Sequence, residues 1–381
     1  ASKTILDVGT DDARKRVGVI TLPTFYQDVG ARRNGDDNYR SASRDVARLL
    51  SELKAEAVDA VLIDLRNNGG GSLDEAIALT GLFIHTGPVV QQRNAQGQIR
   101  VESDMIPGQA WNGPLGVLIN RASASASEIF AAAVQDYGRG LIIGEQSFGK
   151  GTVQTLLDLD EMAASRTPTY GELKMTVAQF FRVSGGTTQL KGVTPDIALP
   201  SLADKENFGE SSYDNALPWT QVQPAAFTPE GQFTELLPAL TLRHAARVTS
   251  DIGYRNLEED VAELNTLRKR NEISLNEVER RRERSMQEAR LKARELARAA
   301  AAGDTGADAT APAAIAALRD DGLIAGERSL RAELDAEKSG KNRRDVLLDE
   351  AGAILGDMVE LLQSEAGLAA RNPPATGARI N

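Results

Sequence analysis

Three serines alternate with alanines at Ser123, Ser125 and Ser127, directly before a stretch with helical spacing. A serine at the start of a helix presents its hydroxyl beside backbone N–H groups that have no partner within the helix. Such a serine is either a helix cap or a nucleophile whose neighbouring amides stabilise an oxyanion. A run of three serines allows one to cap while another reacts, so both interpretations stay open at this point.

A nucleophilic serine needs a general base, and the composition leaves few candidates. The chain has no cysteine and two histidines, His85 and His244. Each histidine lies in or after an apolar helical stretch, so we expect both to be structural, and a Ser-His-Asp triad would have to use one of them. Lys150 lies between two glycines, and a lysine acts as a base when burial lowers its pKa towards neutrality. The residue pattern therefore allows a Ser–Lys dyad.

Two glycine-rich segments follow predicted strands. Residues 67–71 include three consecutive glycines, which permit positive φ and a close approach of the backbone to a ligand. A strand, glycine-rich turn and helix in this order indicate an anion or oxyanion site, although a plain tight turn fits equally well. Residues 144–152 nearly match a phosphate-binding loop, but Gly151 replaces the Ser or Thr, and strand-like residues follow. Nucleotide binding is therefore disfavoured.

Together these segments resemble the S41 serine peptidases, the tail-specific or C-terminal processing proteases. The resemblance is carried by residues 63–71, 123–132, 135–139, 148–154, 191–196 and 214–219. It implies a fold of class α/β, with a ClpP/crotonase-like spiral α/β protease core followed by an α-helical C-terminal region. It implies no cofactor and no metal.

The resemblance also implies roles for individual residues. It places the nucleophile at Ser125 and the base at Lys150, which are separated by the spacing typical of the family. Gln154 matches a glutamine that hydrogen-bonds the lysine, and Asp136 matches an acidic residue that supports the site. Ser125 is preferred over its neighbours by spacing alone, because nothing in its own chemistry distinguishes it.

Two backbone amides complete the implied site. The oxyanion hole falls on the N–H groups of Gly71 and Ala126, with Gly70 as the neighbour most easily confused with Gly71. Each such donor lowers the barrier by roughly 3 kcal/mol. Because Lys150 must be neutral to act, the resemblance implies activity that rises through neutral to mildly alkaline pH.

The implied function is a periplasmic serine endopeptidase that acts on unfolded or partly unfolded proteins with apolar C-termini. A lipoprotein adaptor is an expected further partner. Two alternatives remain: an inactive protease-like scaffold that binds an adaptor or envelope protein, and a crotonase-like acyl-CoA enzyme with similar oxyanion geometry. Family members carry a PDZ domain ahead of the core, and about 16 residues precede the first core strand here. We therefore expect this chain to be a fragment, whose substrate recruitment is in doubt.

The elements that must position these residues follow from hydrophobic patterning. Short apolar runs at 60–65, 115–119 and 141–143 predict strands buried on both faces. Strand and helix patterns alternate through residue 160, which indicates an α/β domain with a largely parallel sheet. Residues 94–97 predict a hairpin turn, and residues 30–40 a polar loop.

The composition shifts after residue 200. Charged helical patterns follow, and a final amphipathic helix is predicted from 347 to 362. We expect a protease core over 1–203 and a helical domain over 204–381, with a linker near 299–314 and a disordered tail over 370–381.

Charge and hydropathy exclude two further classes. The 381 residues include 44 Lys and Arg against 54 Asp and Glu, which gives a net charge of −10. Such an acidic chain is a poor nucleic-acid binder, because binding requires basic residues that neutralise phosphates. The longest apolar runs are shorter than a bilayer-spanning helix, so no membrane span is predicted.

Overall fold

The computed structural model describes residues 1–9, 13–36, 38–164, 167, 169–204, 206–231, 233–270, 272–302 and 344–371. The strands are β1 Ser2–Val8, β2 Lys15–Thr21, β3 Ala60–Asp64, β4 Gly87–Asn94, β5 Ile99–Asp104, β6 Leu115–Ile119, β7 Leu141–Gly144, β8 Thr152–Asp158, β9 Glu172–Phe181 and β10 Ile197–Ala198. The helices are α1 Val29–Arg33, α2 Ala42–Ala55, α3 Leu73–Gly81, α4 Ala126–Asp136, α5 Leu159–Met162, α6 Leu237–Ser250, α7 Ile252–Arg270, α8 Glu277–Ala302 and α9 Val346–Arg371.

A six-stranded sheet with the order β1-β2-β3-β6-β7-β10 forms the centre of the first compact unit. Its neighbouring strands are parallel except for the antiparallel pair β1–β2. All residues of β3 and β6 are buried, as expected for continuous apolar strands covered on both faces. The predicted fold class, an α/β core followed by a helical C-terminal region, is confirmed.

Helices cover both faces of this sheet. On one face, Leu53 of α2 lies against Gly18 of β2. On the other face, Leu355 of α9 and Leu62 of β3 both lie against Gly116 of β6. The last helix in the sequence therefore packs within the first compact unit, which comprises residues 1–249 and 347–381. It includes the predicted amphipathic stretch 347–362 and buries the apolar stripe Ala351, Ile354, Leu355, Met358 and Val359.

A second sheet of four strands, in the order β5-β4-β9-β8, is antiparallel throughout. The predicted hairpin between β4 and β5 is present, closed by Asn94 and Gly97. The pairing of β8 with β9 shifts register between Val153 and Gln154. Strand β8 begins at Thr152, two residues after the glycine-flanked Lys150.

One local prediction was wrong. Residues 30–40 were expected to form a loop, but α1 occupies Val29–Arg33. Its N-cap residue Asp28 accepts a hydrogen bond from the Ala31 N–H at 2.9 Å. A side-chain cap of this kind stabilises a short polar helix that buries no residue of its own and so lacks an apolar stripe.

The second compact unit spans residues 250–346 and contains α7 and α8. Ion pairs join these two helices, including Arg294 to Glu259 and Asp260. Some of the oppositely charged residues seen in the sequence therefore pair with each other between α7 and α8. Of the predicted linker, residues 299–302 belong to α8 and the rest lies outside the described residues, as do residues 372–381 of the predicted tail. The domain boundary at residue 203 stays a prediction.

Candidate active site

Three turns meet at the carboxyl edge of the central sheet, where ligands of parallel sheets usually bind. They follow β3, β6 and β7, and they carry the Gly69–Gly71 segment, the serines and Lys150, respectively. Asn67 and Asn120 join the first two turns through reciprocal hydrogen bonds of 2.9 Å. The Phe148 N–H joins the third turn to the second by donating to the Ser123 carbonyl at 2.9 Å.

Asn68 organises the glycine turn after β3. This side chain is fully buried; its Oδ1 accepts the Gly70 N–H at 2.9 Å, and its Nδ2 donates to the Leu22 carbonyl at 2.8 Å. A Cβ atom added at Gly70 would lie 2.8 Å from the Ser125 Cβ and 2.9 Å from the Ala126 nitrogen. The turn is therefore packed so closely on the serine segment that a side chain at Gly70 has no room.

The structure separates the three serines. The Ser123 hydroxyl is buried and donates to the Leu65 carbonyl at 2.8 Å, and the Ser127 hydroxyl is buried and donates to the Asn68 carbonyl at 2.9 Å. Both hydroxyls hold the glycine turn in place. Ser125 is only partly buried, stands at the N-cap of α4 and has a φ of 58°. Strained backbone at a non-glycine residue is a frequent feature of functional sites.

Two amides near Ser125 are available to a ligand. Ala126 is the first residue of α4, so its N–H has no partner within the helix. The Gly71 N–H likewise has no hydrogen-bond acceptor among the described residues, whereas that of Gly70 is taken by Asn68. Gly71 has a φ of 146° and pairs as a parallel bridge with Phe25, which leaves no room for a side chain. The oxyanion assignment to Gly71 and Ala126 stays a prediction.

Lys150 is partly buried at the start of the segment leading into β8. Its ammonium donates to the Thr152 carbonyl at 2.9 Å, and among the described residues no hydrogen bond joins it to the Ser125 hydroxyl. Burial lowers the pKa of Lys150 below its usual value. The charge of Glu210 opposes that shift most, Lys174 adds to it, and Glu128 opposes it more weakly.

Glu128 is a site residue that the sequence reasoning missed. Its carboxylate is fully buried; Oε2 accepts the backbone N–H groups of Ser125 at 2.8 Å and Lys150 at 2.9 Å. Oε1 accepts the Ser147 hydroxyl at 2.6 Å and the Gly149 N–H at 2.7 Å. Burial raises the pKa of Glu128 to about 7, although these four hydrogen bonds favour the ionised form. The available signal was the Ser-x-x-Glu spacing of a capping box.

Two of the predicted residues lie apart from this cluster. Gln154 is exposed on β8, next to the register shift, and no hydrogen bond between its side chain and Lys150 occurs among the described residues. Asp136 is the last residue of α4, about 16 Å along the helix from Ser125. Its carboxylate accepts from the Arg182 guanidinium at 2.6 Å and from the Ser184 hydroxyl at 3.1 Å. Asp136 therefore ties α4 to the end of β9, and supporting roles for both residues stay predictions.

The two histidines have partners of their own. His85 is exposed, and its backbone N–H donates to Glu230 at 2.6 Å. His244 is buried in α6, where its Nδ1 lies 2.7 Å from Glu350 of α9. Within the described ranges, no group of three His, Cys, Asp or Glu side chains is placed to hold a metal ion. None of the described helices combines the length and apolar character needed to cross a bilayer.

The fold and the cluster define a class of protein: an α/β protein with a strained serine at a helix start and a partly buried lysine at the carboxyl edge of a parallel sheet. Comparisons with known proteins are more specific. Residues 16–199 match the model of peptidase family S41, and residues 203–360 match the C-terminal domain of tail specific protease. The chain belongs to peptidase family S41, among the tail-specific proteases.

Two curated relatives agree with this assignment. The tail-specific protease of Haemophilus influenzae is 42% identical over 279 residues, which cover 72% of this chain and 38% of that protein. A carboxy-terminal-processing protease of Bartonella bacilliformis is 41% identical over 40% of this chain and 33% of its own length. The solved photosystem II D1 C-terminal processing protease is 29% identical, with a TM-score of 0.42, over 52% of this chain and 47% of that one. The chain thus spans about two fifths or less of these curated relatives.

Proposed function

We propose that this chain is the catalytic part of a serine endopeptidase, with Ser125 as the nucleophile and Lys150 as the general base. The observation that carries the proposal is the buried Glu128 carboxylate, whose Oε2 holds the N–H groups of both residues. This shared acceptor fixes the relative position of the two backbones. Ser123 and Ser127 use their hydroxyls to hold the glycine turn, which leaves Ser125 as the serine best suited to react.

The proposed reaction has two halves. In the first, neutral Lys150 takes the hydroxyl proton while the Ser125 Oγ bonds to the carbonyl carbon of the scissile peptide. The Lys150 ammonium then gives that proton to the leaving amine as the C–N bond breaks, and an acyl-enzyme remains. In the second half, Lys150 takes a proton from water as the water oxygen attacks the ester. The proton returns to Oγ when the acid product leaves.

The negative charge on the tetrahedral oxygen requires donors that are already in place. We assign this role to the amides of Ala126 and Gly71. The first is a free helix-terminal N–H, and the second lies in a turn that Asn68 and Phe25 hold rigidly. Because these donors are backbone groups of packed turns, they need little reorganisation as charge develops.

Lys150 must leave its hydrogen bond to the Thr152 carbonyl before it can reach the serine. Rotation about its side-chain torsions provides that movement, since the backbone of Lys150 is held by Glu128. We propose that Gln154 receives the amine in its working position, as the family resemblance implies. Asp136 then supports the site indirectly, by fixing the far end of α4.

The substrates that we propose are unfolded proteins with apolar C-termini, processed in the periplasm. The H. influenzae relative is itself named a tail-specific protease. Farther along β8 from Lys150, the paired ends of β8 and β9 expose the apolar side chains Leu156, Leu173 and Met175, which offer contacts to an extended apolar peptide. A lipoprotein adaptor remains a proposed partner on the strength of the family resemblance.

The test is cleavage of an unfolded protein ending in apolar residues, followed by intact mass. Wild type is compared with Ser125→Ala and Lys150→Ala, and Ser123→Ala serves as the matched control. We expect Ser125→Ala and Lys150→Ala to lose cleavage at least 1,000-fold, because each removes a group that bonds to or deprotonates the reacting atoms.

The control variant decides between the serines. Ser123→Ala should keep most of the cleavage and lose about 1 kcal/mol of stability, because it removes a buried hydrogen bond to the Leu65 carbonyl. Cleavage by all the variants would disprove the dyad. Absence of cleavage by the folded wild type, on its own and with a PDZ domain fused ahead of residue 1, would favour a non-catalytic scaffold.

A further inference from the structure

We infer that Glu210 is a positioning residue for the catalytic lysine: it clamps the loop that carries Lys150 on both sides and adds a negative charge to the surroundings of the lysine. The inference rests on the proposed function, since it concerns the base of that same reaction. Glu210 lies outside the segment that matches the S41 model and within the segment that matches the C-terminal domain of tail specific protease. A residue from outside the S41 segment therefore contributes to the surroundings of Lys150.

Glu210 contacts the lysine loop on both sides of Lys150. On the N-terminal side, its backbone N–H donates to the Phe148 carbonyl at 3.0 Å. On the C-terminal side, its Oε1 accepts from the Nε2 of Gln189 at 2.8 Å, and the Oε1 of Gln189 accepts the Gly151 N–H at 2.8 Å. Gln189 is fully buried, so this relay is shielded from water.

The segment that carries Glu210 is anchored independently. The ring of Phe208 packs edge-on against that of Phe148, with centroids 5.6 Å apart. The Phe208 carbonyl accepts from the Arg121 Nε at 2.8 Å, and Arg121 also donates to the Ser147 carbonyl. Gly209 has a φ of 132°, and any side chain there would collide with the Arg121 guanidinium. These contacts of Phe208 and Gly209 therefore fix the position of Glu210 next to the loop that carries Lys150.

The carboxylate also acts through its charge. Among the described residues, three ionisable groups act on the charge of Lys150: Glu210 from this turn, Glu128 from α4 and Lys174 from β9. Burial and Lys174 favour the neutral amine, whereas the two carboxylates favour the ammonium, and Glu210 contributes more than Glu128. Glu210 consequently limits how far burial lowers the pKa of Lys150.

The decisive variant is Glu210→Gln in the full chain. A glutamine can still accept from Gln189 through its own Oε1, so the clamp is retained while the charge is lost. We expect the acidic limb of the pH profile of kcat/KM to move to lower pH by roughly half a unit to one unit. Glu206→Gln is the matched control, because it removes the same charge from an exposed position in the same turn. In Glu206→Gln the acidic limb of the pH profile of kcat/KM should stay at the wild-type pH.

A second measurement does not depend on cleavage. The Nζ of Lys150 is titrated by NMR after methylation of the lysines with a carbon-13 label, in a Ser125→Ala background, with Lys150→Arg to assign the signal. The pKa of Lys150 should fall in Glu210→Gln and stay unchanged in Glu206→Gln. An unchanged or higher pKa in a folded Glu210→Gln protein would overturn the inference. If Ser125→Ala still cleaves, the proposed function fails instead, and the titration result stands separately.

Discussion

At the scale of single residues, the proposed mechanism depends on the amine of Lys150, whose charge is influenced in opposite directions by burial and by neighbouring carboxylates. Burial lowers the pKa of Lys150, and the carboxylates of Glu210 and Glu128 oppose that effect. A lysine can deprotonate serine only in its neutral form, whose population grows as the pH rises through the lysine pKa. The pH dependence of cleavage therefore reports directly on this residue.

We predict that kcat/KM rises from pH 6 through neutral to mildly alkaline values. Two titrations act in the same direction, because Lys150 becomes neutral and Glu128, with a pKa of about 7, becomes ionised and accepts its four donors fully. The measurement is kcat/KM on a fluorogenic peptide from pH 5 to 10, with the stability of the protein checked at each end. A maximum near pH 5 would contradict Lys150 as the base.

The choice among the three serines shows how far residue-level reasoning reaches. Their sequence context is nearly the same, and only the spacing to Lys150 that the family resemblance implies favours Ser125. The structure distinguishes them by acceptors on another turn, the carbonyls of Leu65 and Asn68, which bind the hydroxyls of Ser123 and Ser127. These acceptors are more than 50 positions away, so no local pattern predicts the bonds.

At the scale of elements, helix α4 connects the candidate site at its first turn to the second sheet at its last residue. Its first turn carries Ser125, Ala126 and Glu128, and its last residue, Asp136, is clamped by Arg182.

Hydrophobic patterning predicted the strands before and after α4, which are β6 and β7. Ligands of parallel sheets bind at the carboxyl ends of the strands, which explains why the three turns meet at that edge. What patterning could not predict was the second sheet, because the pairing of β9 with β4 depends on contacts distant in sequence.

The buried carboxylate of α4 gives a prediction about stability. The pKa of Glu128 is raised from 4.5 to about 7 in the folded protein, so the native state binds this proton more tightly than the unfolded state. The corresponding stabilisation is fully present below about pH 4.5 and is lost as the pH rises through 7. In Glu128→Gln this contribution is absent, so the stability of wild type relative to the variant should fall by about 3 kcal/mol between pH 4.5 and 7.5.

Urea denaturation of wild type and Glu128→Gln at several pH values measures this difference, with Glu206→Gln as an exposed control. Parallel pH dependences for wild type and Glu128→Gln would argue against the raised pKa. The same variant should also cleave at least tenfold more slowly, because a glutamine NH₂ group faces N–H donors where a carboxylate accepted them.

At the scale of the whole molecule, the first compact unit is assembled from distant parts of the sequence. The helix α9 covers the face of the sheet formed by β3 and β6, and it is held to α6 by Arg247, which donates to Glu350 at 2.8 Å and to Asp357 at 2.7 Å. The sequence predicted α9 as an amphipathic helix, but an amphipathic pattern does not say which surface covers it. Gly116 marks the surface that α9 covers, because the absence of a side chain there leaves room for Leu355.

We predict that Leu355→Ala destabilises the protein by about 2 to 5 kcal/mol, because it opens a cavity between α9 and the central sheet. Leu355 is fully buried, whereas Leu242 of α6 is 72% exposed, so Leu242→Ala serves as the control and should change stability by less than about 0.5 kcal/mol. Thermal and urea unfolding of the two variants measure the effect. Equal, small losses for both would show that α9 does not cover the sheet in solution.

The position of α9 has a consequence for biosynthesis. About 200 residues separate the end of β7 from the start of α9, and at 5 to 20 residues per second the ribosome needs roughly 10 to 40 s to translate them. Throughout that interval, one apolar face of the nascent sheet lacks its cover and is available to chaperones. The sheet can therefore reach its final packing only after the segment that carries α9 has been made.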